Sequence, residues 1–381
     1  MEKINIVLSS DNQYVQHLVV TLSSMFENTQ HAGQIKINII DGGIDNSNKQ
    51  FLQSLINRYH SEIHFLKINN DILKNVVVNG HISEATYYRI LIPTLFSSMV
   101  SKIIYLDCDL VIRHDIFDLW NTDIGQYSLG AVKVNDYYLH NELGIPQSAS
   151  YFNAGILIMN ISKWKKENHI PKVLDFISKY PEKLRAWDQD ALNGVLYNDW
   201  YQIDYRWNLR SQVFQLDYQT AGFSDLDVFE KTKGDPAIVH FTTGSKPWHY
   251  LNNHPYKAEY FKYLDISGYP YQKFREKEFL LSAKIALFGT GENARRITEK
   301  LKMLSLEVSF YVDNNQEKWN TKFLGKPVVS PDELLAKDES LFVIIASQYH
   351  REIGEQLIAM GFREHENFLR DISMDGRIHR Y

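Results

Sequence analysis

Cysteine is almost missing from this chain: Cys108 stands alone among 381 residues. That excludes an intramolecular disulfide framework and a cysteine-rich zinc site. Long apolar runs are missing as well, since no segment reaches the roughly 18 uninterrupted apolar residues that a membrane span needs. The opening stretch MEKINIVLSSDNQYV has neither the apolar core nor the cleavage pattern of a secretory signal. The expected location is the cytoplasm, with at most peripheral contact at the inner face of a membrane. Nor is there an excess of positive charge. The 41 Lys and Arg face 46 Asp and Glu, a formal net charge of -5, and nothing suggests electrostatic capture of nucleic acid. Aromatic residues, by contrast, are plentiful at 13%, with 23 tyrosines; such a supply suits flat or polyhydroxylated ligands and buried cores alike.

The length is enough for two domains, each able to bury a core. In the first part, short β-rich runs alternate with amphipathic stretches: KINIVLSS, a helix around 14–27, QIKINIID, a helix around 47–59, EIHFLKI and a helix around 84–96. That alternation predicts an α/β fold with a mixed, mostly parallel sheet, to which KIIYLD, YSLGAVKV, YFNAGILIMNI and PAIVHFT add further strands. Ligands of open sheets lie beyond the carboxyl ends of the strands, so Asp11, Asp41, Asp107 and Asp109 are candidates for one crevice. Composition changes near 250–280, where a Tyr-, Lys- and Pro-rich stretch reads as a connector. The expected division is a domain over 1–265, a linker over 266–281 and a second α/β domain over 282–381.

KIIYLDCDLVIRHDIFDLW, residues 102–120, ends a buried-strand pattern on two aspartates around a cysteine. In an extended backbone Asp107 and Asp109 project to one face and Cys108 to the other. Two carboxylates side by side need a cation, a shared proton or full solvation. Oxygen ligands of this kind suit Mg2+ or Mn2+ completed by substrate phosphates and water; turn acids in water are the plainer alternative for so short a motif.

Six stations in order carry a more specific resemblance: VLSSDNQY (7–14), SEATYYRILIP (83–93), YLDCDLV (105–111), YFNAGILIMN (151–160), WDQDALN (187–193) and HFTTGSKPW (240–248). Together they resemble glycosyltransferase family 8, retaining nucleotide-sugar transferases of GT-A fold. The resemblance covers roughly residues 1–265 and implies transfer of a hexose, galactose before glucose, from a UDP-sugar to a cell-surface glycan, glycolipid or glycoprotein. It implies Mn2+ or Mg2+ held by Asp107, Asp109 and His240. Donor contacts would come from Ser9, Asp11, Tyr14, Arg89, Asp107, Cys108, Asn153, Ala154, Asp188, Gln189, Gly244 and Lys246. Among these, Asp11 and Tyr14 would face uridine, Lys246 the diphosphate, Asp188 the sugar hydroxyls, and Gln189 the anomeric carbon; Asp188, Gln189 and Lys246 would form the catalytic set. Many relatives place the loop glycine three residues after the histidine, whereas Thr243 stands there in this chain and Gly244 follows.

In the last hundred residues ALFGTGENA fits G-x-G-x-x-A after a strand, with Gly289, Gly291 and Ala294, and Asp313 ends the next strand near the distance of a ribose-binding acid. About three strands are expected there, roughly half of a full dinucleotide-binding domain, so this Rossmann-like module is an accessory nucleotide site or a degenerate unit for homo-oligomer formation or acceptor docking. Two other readings compete for the whole chain. A haloacid-dehalogenase-type phosphatase also uses Asp-x-Asp after a strand, and a non-catalytic nucleotide-binding protein can be built around GTGENA. The segments 69–82 and 135–150 are candidates for a lid and an acceptor-binding edge, or plain surface loops.

Overall fold

In the computed structural model, residues 3–68, 87–135, 140–248, 252–271, 280, 282–303, 305–336, 340–364 and 366–370 are described. The expected segment 69–82, and most of the connector at 266–281, lie outside them. The chain forms two compact units: Met1–Thr243 with Pro255–Tyr269, and Gly244–His254 with Pro270–Tyr381.

The first unit is built on a seven-stranded sheet from β1 (Ile4–Ser10), β2 (Ile35–Asp41), β3 (Glu62–Leu66), β4 (Lys102–Leu106), β6 (Leu129–Val134), β7 (Tyr151–Asn160) and β8 (Trp200–Gln202), in the order β3-β2-β1-β4-β7-β6-β8. The strands β3, β2, β1 and β4 run parallel. Their near-continuous Ile, Val and Leu runs are what a strand covered on both faces requires. The strand β7 then runs antiparallel to both β4 and β6. A small second sheet joins β5 (Leu110–Ile112), β9 (Leu209–Arg210) and β10 (Ile238–His240), with β10 in the middle.

The helix Val15–Glu27 is buried along nearly its whole length and holds the passage from β4 to β5: Thr21 Oγ1 donates to the carbonyls of Cys108 (2.8 Å) and Leu110 (3.1 Å). The passage is a bend, not the extended strand expected from the sequence. Asp107 N–H donates to Gly155 O on β7 at 2.8 Å, and Phe241 N–H donates to Asp109 O at 3.0 Å. One aspartate is thereby tied to the large sheet and the other to the small one, which places both at the line where the sheets meet.

The second unit has a six-stranded sheet in the order β13-β14-β12-β11-β15-β16, from β11 (Lys284–Phe288), β12 (Val308–Val312), β13 (Lys322–Phe323), β14 (Lys326–Val329), β15 (Leu341–Ile345) and β16 (Phe368–Leu369). All neighbours are parallel except β13 and β14. The expectation of about three strands was too low, because β13, β14 and β16 have two to four residues each, too few to display a period. The stretch Pro331–Ala336 is a 3-10 helix.

Candidate active site

Asp107, Asp109 and His240 each offer a ligand atom, and these atoms lie within 4.8 Å of one another. His240 Nε2 is 3.3 Å from Asp109 Oδ1 and 3.7 Å from Asp107 Oδ2. His240 is 3% exposed, and its tautomer follows from two backbone amides. Gly155 N–H must meet an acceptor, which identifies Asn153 Oδ1 (3.0 Å); Ala154 N–H does the same for Gln189 Oε1 (3.0 Å). Asn153 Nδ2 then donates to Gln189 Oε1 (2.9 Å) and Asn208 Nδ2 to Asn153 Oδ1 (2.8 Å). Asn208 Oδ1 is left to accept from His240 Nδ1–H at 2.9 Å, so Nε2 presents its lone pair to the aspartates. A second partner that fixes the tautomer of a ligating histidine is the usual support of a metal site, and two carboxylates with one imidazole suit Mn2+ well. The residues present therefore fit a divalent ion.

Behind the aspartates lies Arg89, from the helix Tyr88–Leu95. Its Nη2 is 3.2 Å from Asp107 Oδ1, its Nη1 donates to Ala154 O at 2.6 Å, and its guanidinium lies 4.8 Å from the Tyr105 ring centre. Its Nε is 2.7 Å from Asp188 Oδ2, a charge contact without hydrogen-bond alignment. Burial disfavours the Arg89 charge, but Asp107 and Asp188 more than compensate and raise its pKa. Asp107 divides its oxygens: Oδ1 faces Arg89 and the Tyr105 hydroxyl (2.8 Å), and Oδ2 faces His240.

WDQD opens the helix Trp187–Leu196, and its two acids do different work. Asp190 is the structural one, since its Oδ2 accepts from Arg185 and Ala186 N–H and its Oδ1 from the Tyr151 hydroxyl. Asp188 is 3% exposed beside Arg89. Desolvation raises its pKa from 3.8 to about 6, against Arg89, which lowers it. Between those values the folded state binds a proton that the unfolded chain has released, so this group's contribution to stability falls as pH rises through the window. Asn193 pins the helix to β7 by accepting from Phe152 N–H (2.8 Å) and donating to Phe152 O (2.9 Å).

The cleft over these groups holds about 560 Å³, and Asp107, Asp109, Asn153, Asp188, Gln189 and His240 line it. Ala154 lies under it, buried, with its carbonyl on Arg89. Cys108 turns away, its thiol on Ser9 O at 3.1 Å, and burial pushes its pKa up. The Ser9 hydroxyl is buried without a partner among the described residues. Asp11 Oδ1 accepts from Tyr14 N–H at 3.0 Å, and Tyr14 is 38% exposed, edge-on to His17. Asp41 does not join the crevice, contrary to expectation. Lys49 (2.6 Å) and the amides of Gly43 and Ile44 occupy its carboxylate. Gly244 and Lys246 belong to the second unit, where the Lys246 ammonium lies 6.0 Å from the Trp248 ring centre.

Asn208 and Gly155 are among the residues of the site that were not singled out from the sequence. Asn208 fixes His240, and only the fold brings together side chains 32 positions apart. Gly155 leaves the space the ligands need: a Cβ there would overlap the His240 ring and lie 2.6 Å from Asp107 Oδ2. Its place inside YFNAGILIMN, a glycine in a strand, is a signal of close approach. Gly155→Ala should weaken Mn2+ binding by about ten- to a hundredfold, as losses of support around a metal site do, and isothermal titration with Mn2+ measures it.

In the second unit Gly289, Gly291 and Asp313 meet at a cleft of about 720 Å³ at the carboxyl ends of β11, β12 and β15. Gly289 has φ +121°, and a Cβ there would lie 2.8 Å from Ala346 O. Asp313 Oδ2 accepts from Thr290 Oγ1 (2.5 Å) and Lys318 Nζ (2.9 Å).

The sequence profile described as glycosyl transferase family 8 matches residues 5–252, and one described as C2185-like, N-terminal matches 281–368. The chain belongs to glycosyltransferase family 8. It is 35% identical over 270 residues to General stress protein A of Bacillus subtilis, across 70% of this chain and 94% of the relative. It is 25% identical over 270 residues to the lipopolysaccharide 1,3-galactosyltransferase of Salmonella typhimurium, across 68% of this chain and 77% of the relative. The galactosyltransferase LgtC, solved with donor and acceptor sugar analogs, shares the GT-A fold with a TM-score of 0.61 at 22% identity, covering 72% of this chain and 99% of that one. No helix among the described residues is long and apolar enough to cross a membrane.

Proposed function

We propose that this chain transfers a hexose from a UDP-sugar to a hydroxyl of a cell-surface glycan, glycolipid or glycoprotein, on the cytoplasmic side and with retention of anomeric configuration. The convergence of Asp107, Asp109 and His240 carries the reading. Galactose is placed before glucose as the reading to test, since relatives named as a galactosyltransferase and as a glucosyltransferase match at the same 25% identity. Those three residues would hold Mn2+ or Mg2+, which supplies positive charge against the negative charge of departing UDP. Asp11 and Tyr14 would receive uridine, and Ser9, its hydroxyl unpartnered among the described residues, would add a donor contact.

Catalysis then rests on positioning and charge. Asp188, ionised at neutral pH, orients the sugar hydroxyls, and Arg89 keeps that carboxylate and Asp107 in register. Gln189 is a poor nucleophile here, because its Oε1 already accepts from Asn153 Nδ2 and Ala154 N–H. This supports front-side attack by the acceptor hydroxyl, with the leaving phosphate taking its proton. In the accessory domain, proposed at 282–381, the Asp313 carboxylate is in use by Thr290 and Lys318. That favours acceptor docking or self-association there over a dinucleotide site.

A hydrolysis panel of UDP-sugars with and without Mn2+ tests the proposal. UDP-galactose should turn over only with the metal and faster than UDP-glucose. Hydrolysis of aryl phosphate without UDP-sugar turnover would favour the phosphatase instead.

A further inference from the structure

Trp187 is the one Phe, Tyr or Trp side chain among the described residues that line the active cleft. It is 44% exposed, and among the described residues no hydrogen bond or ring contact holds its indole. Its backbone has φ +47°, in the left-handed region that bulky residues rarely adopt. The conformation is imposed from both sides. Asp190 takes the amides of Arg185 and Ala186 just before it, and Asn193 locks the following helix to β7. Strained, over-determined backbone clusters at ligand clamps. A large apolar ring left in water beside acids and amides, at a position better suited to glycine, calls for a ligand with an apolar face and polar edges.

We propose that Trp187 is the platform on which the acceptor's terminal pyranose stacks, its C–H face on the indole and its hydroxyls toward the polar groups of the cleft. Depth separates this ring from the donor groups: Asp188 is 3% exposed and Ala154 1%, whereas Trp187 stands at the rim. The next residue, Asp188, points inward to Arg89, so one helix start would serve donor and acceptor from consecutive positions. The assignment rests on the transferase reading and adds a specificity-determining residue to it.

Saturation-transfer NMR with lactose and with methyl β-galactopyranoside, in the presence of UDP and Mn2+, tests it on the wild type, Trp187→Gly and Trp187→Phe. The wild type should saturate the sugar C–H protons. Trp187→Gly should bind these sugars about tenfold more weakly or worse, the loss of an aromatic contact and its buried area, and Trp187→Phe should recover part of it. The KM for UDP-galactose in the hydrolysis assay should move by less than about twofold, since binding lost at one subsite alone leaves the other's KM in place. Glycine suits the left-handed backbone, so Trp187→Gly should melt no lower than the wild type. Equal sugar binding in Trp187→Gly, no sugar binding in the wild type, or a donor KM that rises in step with the loss would overturn the proposal. Failure of wild-type UDP binding would instead strike the transferase reading.

Discussion

Asp109→Asn should lower metal-dependent UDP-sugar turnover by about three orders of magnitude or more, the scale expected when a charge-bearing ligand of an electrostatic catalyst is removed. The amide keeps the shape of the carboxylate but not its charge, and its N–H2 can turn toward His240 Nε2, which is 3.3 Å from the present Oδ1. The fold should survive. The backbone bond from Phe241 N–H to Asp109 O does not involve the side chain, and one of two crowded carboxylates is relieved of its charge. The hydrolysis assay with Mn2+ and a thermal melt check both parts; turnover near that of the wild type would contradict the assignment.

Arg89→Met should cost stability as well as activity. Arg89 stands against Asp107 and Asp188 in a buried setting, with 13% of its side chain exposed. Removing one partner of a buried ion cluster typically costs about 3–5 kcal/mol, because the remaining charge is left uncompensated. The loss should depend on pH in a defined direction. Asp188 already titrates at about 6 through burial, and without Arg89 its pKa rises further. The folded variant therefore takes up protons as pH falls, and the deficit relative to the wild type shrinks from pH 8 toward pH 5. Urea unfolding at several pH values reads this. A deficit that stays constant across the range would show that packing rather than charge is lost.

Much of this site could be read in the sequence because it is written in charged residues at short spacing. Asp107 and Asp109 show themselves as a pair, and the structure brings them together with His240 through a backbone the pattern did not foresee. Period-2 alternation assumed an extended strand, whereas the chain bends there, and it is Gly155 O, Thr21 and Phe241 that aim the carboxylates. Asn208 gave no signal, since a neutral amide in YRWNLR becomes functional only when the fold places it on His240. Asp41 misled for the opposite reason: a strand-end acid resembles a ligand until Lys49 and two amides are seen to occupy it. In the second unit the glycine loop was legible, but β13 and β16, two residues each, exist only through their neighbours.

Pulsed EPR on the Mn2+-loaded chain tests the central claim most directly, because it reads the nitrogen nuclei bound to the ion. One directly coordinated imidazole nitrogen is predicted, its coupling abolished in His240→Ala and retained in Trp187→Gly. Mn2+ bound without nitrogen coupling, or with a coupling that survives loss of His240, would contradict the account.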